Sequence, residues 1–521
     1  MAGGTVPRPE QVYAGRLRRI THGTLANILA QVLNVLGQVA LVPVFLQLWG
    51  NQLYGEWLTL SAAGTYLSML DFGMNSYLVN RLTQSNARGV RHQYTEILHS
   101  GLLLSLVMST VAVMLGILVV AFSPLERWFR LAAMNHSTAV LVTIFLGAQV
   151  AYAIPCGVLA GVYRSVNEYP RGQMVVNTRV CVGLLLTALI VASGQGPVVV
   201  ATAQLMTLVV TSVYIWWDLR RRHPELQLGL GQASFRLAIS FIPPSSAFLI
   251  SQLAMALTAQ GSIVLIGTLF GPSMVVVFVT LRTLTNLSRQ GIAALQHAVW
   301  PEFTTLDAQE RRESLRNLHL LTAKLVILFA VCAAVFLHFM GESIVIIWTG
   351  KRVAYQAQLM TAFLLLGFSQ AQWSTSSIFL VACNQLKGVV ACVISSSAAG
   401  LGLGYMLAQR FGMPGFIYGL LIPDLLVCGW FIPWVACQMM GEKSRRYLIE
   451  ILLRGVAVSG IVFSAVELLV GFLPVTAGTL RQLVPMSALI GTIGLAAAYV
   501  VGLNQFEKSR IRLLLSGLLA R

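Results

Sequence analysis

This sequence has little charge. Asp, Glu, Lys and Arg make up only 10% of its 521 residues, where a soluble globular domain carries about a quarter. Acidic residues are scarcest, 18 against 35 basic ones. The Walker A, HExxH and GxSxG patterns are missing, so there is no phosphate cradle for ATP, no zinc pair on a helix and no serine elbow. Nothing here reads as an enzyme. The seven cysteines (Cys156, Cys181, Cys332, Cys383, Cys392, Cys428 and Cys437) lie in apolar stretches at neither metal-ligand nor Cys-x-x-Cys spacing. They read as small buried hydrophobes, with no metal and no cofactor implied. The ten-residue alternation of a membrane barrel is also absent, which leaves helices as the only way across lipid.

What is present is apolar. Hydrophobic residues reach 56% and the mean hydropathy is +0.76. Runs of ~18 or more apolar residues, each long enough to cross a core of roughly 30 Å, recur along the whole chain. They predict an all-α integral membrane protein of fourteen spans: 23–48, 54–80, 97–121, 138–162, 174–193, 197–217, 241–267, 273–299, 318–347, 359–382, 387–407, 414–438, 447–471 and 484–503. The first follows Arg8, Arg16, Arg18 and Arg19 as a secretory signal would, but its apolar part is too long for one and ends in no cleavage site, so it is read as a retained helix.

A net charge of +17 would suggest nucleic acid in a soluble protein. Here the basic residues lie in short loops on one side. With the N-terminus in the cytoplasm, 25 of them fall on that side (Lys324 counted among them) against six opposite, which predicts both termini inside and no nucleic-acid partner. The expected layout is a cytoplasmic segment 1–22, a lobe of six spans 23–217, a cytoplasmic loop 218–240, a second lobe 241–438, two further spans 439–503 and a tail 504–521. The tail, basic and partly apolar, reads as an amphipathic helix on the inner leaflet or as disordered.

Aligning Gly50 with Gly271 gives an offset of 221 that also places Gln31 on Gln252. Spans one and seven start from the same side, so the lobes read as parallel repeats. Span one carries Asn27, Gln31, Asn34 and Gln38 on one helical face. That face meets either neighbouring helices or a water-filled lumen. Span eight carries Arg282, Asn286, Arg289 and Gln296 on one face. Arg282 lies ~14 Å from the outer end, near the midplane, while Arg289 is deep enough to reach the inner interface. Guanidinium suits phosphate or carboxylate. Asp424 follows Pro423 in mid-span and is a candidate proton- or cation-coupling carboxylate or a structural one. Glu450 and Arg454, at i and i+4, read as neutralising each other. Ser369, Gln370, Gln372, Trp373, Ser374, Thr375, Ser376 and Ser377 form a hydroxyl-rich wall with Trp373 as a stacking plane, or pack against a neighbouring helix. The glycines of GLGLG, Gly400 to Gly404, read as a helix-packing surface.

The stretch LYGEWLTLSAAGTYLSMLDFGMNSYLVNRLTQSNARG, Leu53 to Gly89, resembles the second-span signature of bacterial polysaccharide flippases of the multidrug/oligosaccharidyl-lipid/polysaccharide (MOP) exporter superfamily. The resemblance rests on its YG-x-W opening, its LD-x-G and Arg81. VTLRTLTNLSRQGIAALQHAVWPEFTTL and FLVACNQLKG are similar to later parts of that family. The resemblance implies two six-helix lobes that rock about a central cavity lined by helices one, two, seven and eight, plus two C-terminal helices. It implies a cargo of polyprenyl-diphosphate-linked oligosaccharide, an O-antigen or exopolysaccharide repeat unit, carried from the inner to the outer leaflet of the bacterial inner membrane. Implied partners are that glycolipid, membrane lipids, and the polymerase and glycosyltransferases of its pathway; implied coupling is to a proton or sodium gradient. Substrate binding falls to Asn27, Gln31, Asn34, Gln38, Gln252, Arg282, Asn286, Arg289 and Trp373. A gate is expected between Asp71 and Arg289, unless Asp71 pairs with Arg81 or caps a helix. A lipid II flippase and a cation exporter are the nearest alternatives, and a membrane glycosyltransferase or polymerase is the alternative of a different class.

Overall fold

A segment inside hydrocarbon must satisfy its own backbone N–H and C=O groups, and in the computed structural model all regular structure among the described residues is helical. Those residues are 9–65, 74–122, 124–383, 385–472, 480–497 and 499–500. In order the helices are α1 Pro9–Leu48, α2 Gly50–Thr65, α3 Met74–Ala87, α4 Arg91–Phe122, α5 Leu125–Phe129, α6 His136–Ser165, α7 Tyr169–Ala192, α8 Pro197–Arg222, α9 Phe235–Ser240, α10 Ile242–Phe270, α11 Pro272–Ala308, α12 Arg312–Thr349, α13 Ala357–Ala382, α14 Leu386–Pro423, α15 Gly429–Met440, α16 Ser444–Leu448, α17 Arg454–Phe472 and α18 Leu480–Ala497. Where they are described, the predicted spans fall on helices, the second on α2 and α3. Among the described residues eight stretches are long and apolar enough to cross a membrane, one of them Lys387–Met440 with 54 residues. This is a multi-pass membrane protein.

The 54-residue stretch is two spans. Within α14, Gly412 takes φ +67°, a conformation that costs little only for glycine, and the chain doubles back on itself. Gly415 then lies against Leu407 and Gly419 against Gly404, so closely that a Cβ on Gly419 would fall inside the radius of Gly404 Cα. The small residues of the GLGLG run let the two arms touch backbone to backbone. Gly50 and Gly271 also share a conformation, φ +69° and +87°, each at the break between two long helices. Ser273 Oγ donates to Gln52 Oε1 at 2.7 Å, a pair separated by the same 221 residues as those two glycines.

By internal packing the chain divides into two compact units, Met1–Ala256 with Gly267–Ser273, and Leu257–Ile266 with Met274–Arg521. The first has a core of α3, α4, α6 and α8, where Leu78, Leu82, Leu98, Val158, Val162 and Leu219 are buried. The second has two cores. One sets α12 against α17 and α18 through Val326, Val458 and Val462; the other joins α11, α13 and α15 around Phe303, Phe379 and Ile432.

Helix α1 runs through the first predicted span, whose apolar part is Leu25–Leu48, but begins at Pro9, and its 40 residues extend ~60 Å, twice the hydrocarbon thickness. Other expectations are corrected. The loop expected over 218–240 is helical as far as Arg222, because Asp218 is buried and accepts from Tyr163 Oη at 2.6 Å and from Arg171 Nη2 at 2.6 Å. The rest of it is fastened to α4. His99 Nδ1 accepts from the Gln232 N–H at 2.9 Å, and Ser100 Oγ accepts from the Ser234 N–H. Asp71 lies outside the described residues, as do 1–8 and the tail 504–521.

Lys324 is not a cytoplasmic loop residue. It is buried in α12 and pairs with Glu450 at 3.1 Å, so Glu450 has a distant lysine on another helix as a partner. Breaking a buried pair leaves the survivor uncompensated, whereas replacing both ions by apolar groups of similar volume is often neutral. Lys324→Met or Glu450→Met alone is expected to destabilise the protein by about 3–5 kcal/mol, read as a fall in melting temperature in detergent, and the double variant to recover most of the loss. Equal and additive losses would refute a coupled pair.

Candidate functional site

Helix α1 presents two accessible faces of opposite character. Asn27, Gln31, Asn34 and Gln38 are all exposed and fall within an arc of about 60° at 100° per residue. On the opposite side Leu25, Leu29, Val32 and Leu36 are also exposed, at 62%, 38%, 47% and 50%. Between them a third face packs on α7, with Gly37 against Leu184 and the Ala26 carbonyl accepting from Asn177 Nδ2 at 2.7 Å. One accessible face suits lipid and the other does not, since amides in hydrocarbon are costly without partners. The amide face is accessible and polar along its length. Asn27 also serves packing, its Oδ1 accepting from Tyr169 Oη at 2.7 Å.

Helix α11 carries the second set. Arg282 is half-buried and donates from Nη1 to the Ala259 carbonyl at 2.6 Å, with its guanidinium 5.7 Å from the Phe278 ring centroid. Arg289, two turns further on the same face, is exposed, and the two like charges repel each other. Asn286 lies between them, half-buried. Gln296, expected on this face, is buried and donates to Ser374 Oγ and Thr375 Oγ1, so it fastens α11 to α13. Gln252 lies in α10, and its side chain is outside the description.

Part of the hydroxyl-rich wall of α13 packs against neighbouring helices. Ser369 Oγ and Trp373 Nε1 both donate to Asp424 Oδ2, at 2.5 and 3.2 Å. Ser376 bonds His319 Nε2 and Tyr447 Oη, and Gln372 Nε2 donates to the Gly429 carbonyl. These groups are saturated by neighbouring helices, and the Trp373 ring packs in the α11–α13–α15 core. Asp424 thus has structural partners, with Arg289 in electrostatic reach. It sits where a π-helical turn, Asp424–Cys428, interrupts the helix behind Pro423.

Sequence reasoning missed Glu56. It is 0% exposed inside the YG-x-W signature, and its carboxylate accepts from three successive backbone N–H groups, Ala132 and Ala133 on Oε1 at 2.6 and 2.7 Å and Met134 on Oε2 at 2.8 Å. Gln52 Nε2 donates to it as well. The carboxylate closes the loop between α5 and α6 onto α2. A lone acidic residue in an apolar run was the available signal, but its partners are backbone groups that no side-chain pattern announces. Arg171, Asp218 and Tyr163 were missed likewise.

The sequence matches no family model and no curated protein. Its fold, however, is that of known transporters. An inward-facing multidrug resistance MATE transporter of the MOP superfamily aligns with a TM-score of 0.63 at 17% identity, over 78% of this chain and 98% of that one. The lipid II flippase MurJ in an inward closed conformation aligns at 0.67 and 11% identity, over 92% and 98%. An outward-facing MATE transporter aligns at 0.53 and 16% identity, over 81% and 95%.

If Arg289 and Asp424 compensate each other, Arg289→Gln and Asp424→Asn should each lower stability, while together they should lose less than the sum by about 0.5–3 kcal/mol. Asparagine keeps an acceptor for Ser369 and Trp373, so the cycle isolates charge. Strict additivity of the melting shifts would show that the two act independently.

Proposed function

We propose that this chain is a flippase that moves a polyprenyl-diphosphate-linked oligosaccharide, such as an O-antigen or exopolysaccharide repeat unit, from the inner to the outer leaflet of the bacterial cytoplasmic membrane by alternating access. The observation that carries the reading is the accessible amide face of α1. Its groups are uncharged donors and acceptors repeated along three turns, which suits the many hydroxyls of a glycan and offers nothing to an organic cation. The arginines of α11, in the other unit, carry a second and separate feature that suits the diphosphate. Two mutually repelling guanidiniums are relieved by an anion between them, and their planar forks fit phosphate oxygens.

A cation exporter is disfavoured by the same inventory. Glu56 and Asp218 are engaged by backbone N–H groups and by Arg171, and Oδ2 of Asp424 by Ser369 and Trp373. A second reading, lipid II itself as the cargo, is supported by the 92% of this chain over which the lipid II flippase aligns. Both cargoes are lipid-linked diphosphates, and both readings make the protein a transporter and not a glycosyltransferase.

The test is a flipping assay in proteoliposomes. An oligosaccharide on polyprenyl diphosphate, placed in one leaflet, should become accessible to a membrane-impermeant oxidant on the other side only with the protein present; faster movement of lipid II would transfer the assignment. Arg282→Ala should lose transport by at least thirtyfold, as expected from about 2–5 kcal/mol for one partner of a buried charged contact, with normal amounts in the membrane. Arg282→Lys should retain part of the activity, keeping the charge without the fork. A fully active alanine variant would remove Arg282 from the site.

A further inference from the structure

The arginine-rich end of α8 is built differently from the other basic ends. Its outward stripe runs Met206, Val210, Val213 and Trp217, exposed by 48%, 67%, 59% and 48%, and then reaches the exposed Arg220 and Arg221. The two guanidiniums lie over tryptophan rings one turn back, Arg220 at 5.0 Å from the Trp216 centroid and Arg221 at 5.4 Å from that of Trp217. Tyr214 packs beside Trp217, ring centroids 6.1 Å apart. The opposite face is fixed. Asp218 is held by Arg171 and Tyr163, and Arg222 pairs with Glu168 at 3.0 Å. Arg220 and Arg221 have no carboxylate partner among the described residues.

We infer that this end of α8 is a binding site for an anionic phospholipid. The phosphate sits between the Arg220 and Arg221 guanidiniums, the tryptophans lie at the depth of the glycerol and carbonyls, and the acyl chains follow Trp217, Val213, Val210 and Met206. Three features distinguish this from a generic basic loop. The cations are held upright by cation–π contact, which removes much of the ordering cost of a flexible arginine; they stand at the end of the lipid-facing stripe, where a headgroup lies; and they are uncompensated while their neighbour Arg222 is not. Tryptophan and tyrosine favour this depth because they are apolar with one polar edge, and basic clusters beside a membrane-spanning helix attract anionic headgroups. The site is remote in kind from the amide face of α1 and stands without the flippase reading.

Native mass spectrometry of the full-length protein, released from micelles doped with equal phosphatidylglycerol and phosphatidylcholine, tests it. The wild type should retain phosphatidylglycerol preferentially. The double variant Arg220→Gln/Arg221→Gln should bind it about twenty- to thirtyfold more weakly, from about 1 kcal/mol per basic residue at the surface at 1.4 kcal/mol per tenfold, with an unchanged melting temperature in phosphatidylcholine alone. Should that variant fail to accumulate, each single variant carries the same test with a loss of roughly fivefold. Equal retention of the two lipids, undiminished retention by the variants, or displacement of the lipid by inorganic phosphate would overturn the assignment.

Discussion

Within hydrocarbon a polar side chain has three resting places: a hydrogen bond to a neighbouring helix, an opposite charge, or water reached through the protein. The structure of this chain follows from how its few polar residues are divided among them. Glu56 closes a loop by accepting from three backbone N–H groups. Lys324 and Glu450 fasten α12 to the turn before α17, and Gln296 and the hydroxyls of α13 fasten α11 to α13. With a hydrophobic drive between helices weak in lipid, such contacts and close-packed small residues hold helices together, and the Gly404–Gly419 approach in the α14 hairpin is the purest case of the latter. The accessible amides of α1 and the arginines of α11 are the polar groups on which the proposed function rests.

That division explains what the sequence could disclose. The helices were legible because the constraint that makes them, internal satisfaction of the backbone over some twenty apolar residues, acts locally and repeats. The GLGLG run and the glycine breaks were legible for the same reason. Partner identity was not. Glu450 has a basic residue one turn along its own helix and an equally plausible neighbour 126 positions away in sequence, and periodicity ranks only the first. Asn286 and Gln296 share a helical face in projection, yet the half-buried Asn286 lies between two arginines while Gln296 is buried against α13. A projection along the axis cannot separate them, because the neighbouring helix covers only one end of that face.

Helix ends differ from span ends where polar residues continue a helix. Residues 9–22, read as a cytoplasmic segment, are helical within α1, and Asp218 keeps α8 helical through its arginines because its charge is met by Arg171. Hydropathy locates the membrane; it does not locate helix ends, which depend on whether the flanking polar groups find partners.

Under the flippase reading proposed above, the same division of polar groups bears on how an anionic cargo would be bound and released. Arg282 is held by a carbonyl and an aromatic face, contacts that orient a cation without neutralising it. Arg289 has Asp424 within electrostatic reach, yet Asp424 is already committed to Ser369 and Trp373. Full neutralisation by carboxylates would remove the attraction for a diphosphate, and bare arginines would hold it too tightly to release. A ligand shifts a conformational equilibrium only by its differential affinity for the two states. On that reading partial compensation would supply the means: a change in the distance between Arg289 and Asp424, which interact electrostatically, would alter how much positive charge the face presents and so tie anion binding to the conformation of α11 against α13 and the π-turn of Asp424.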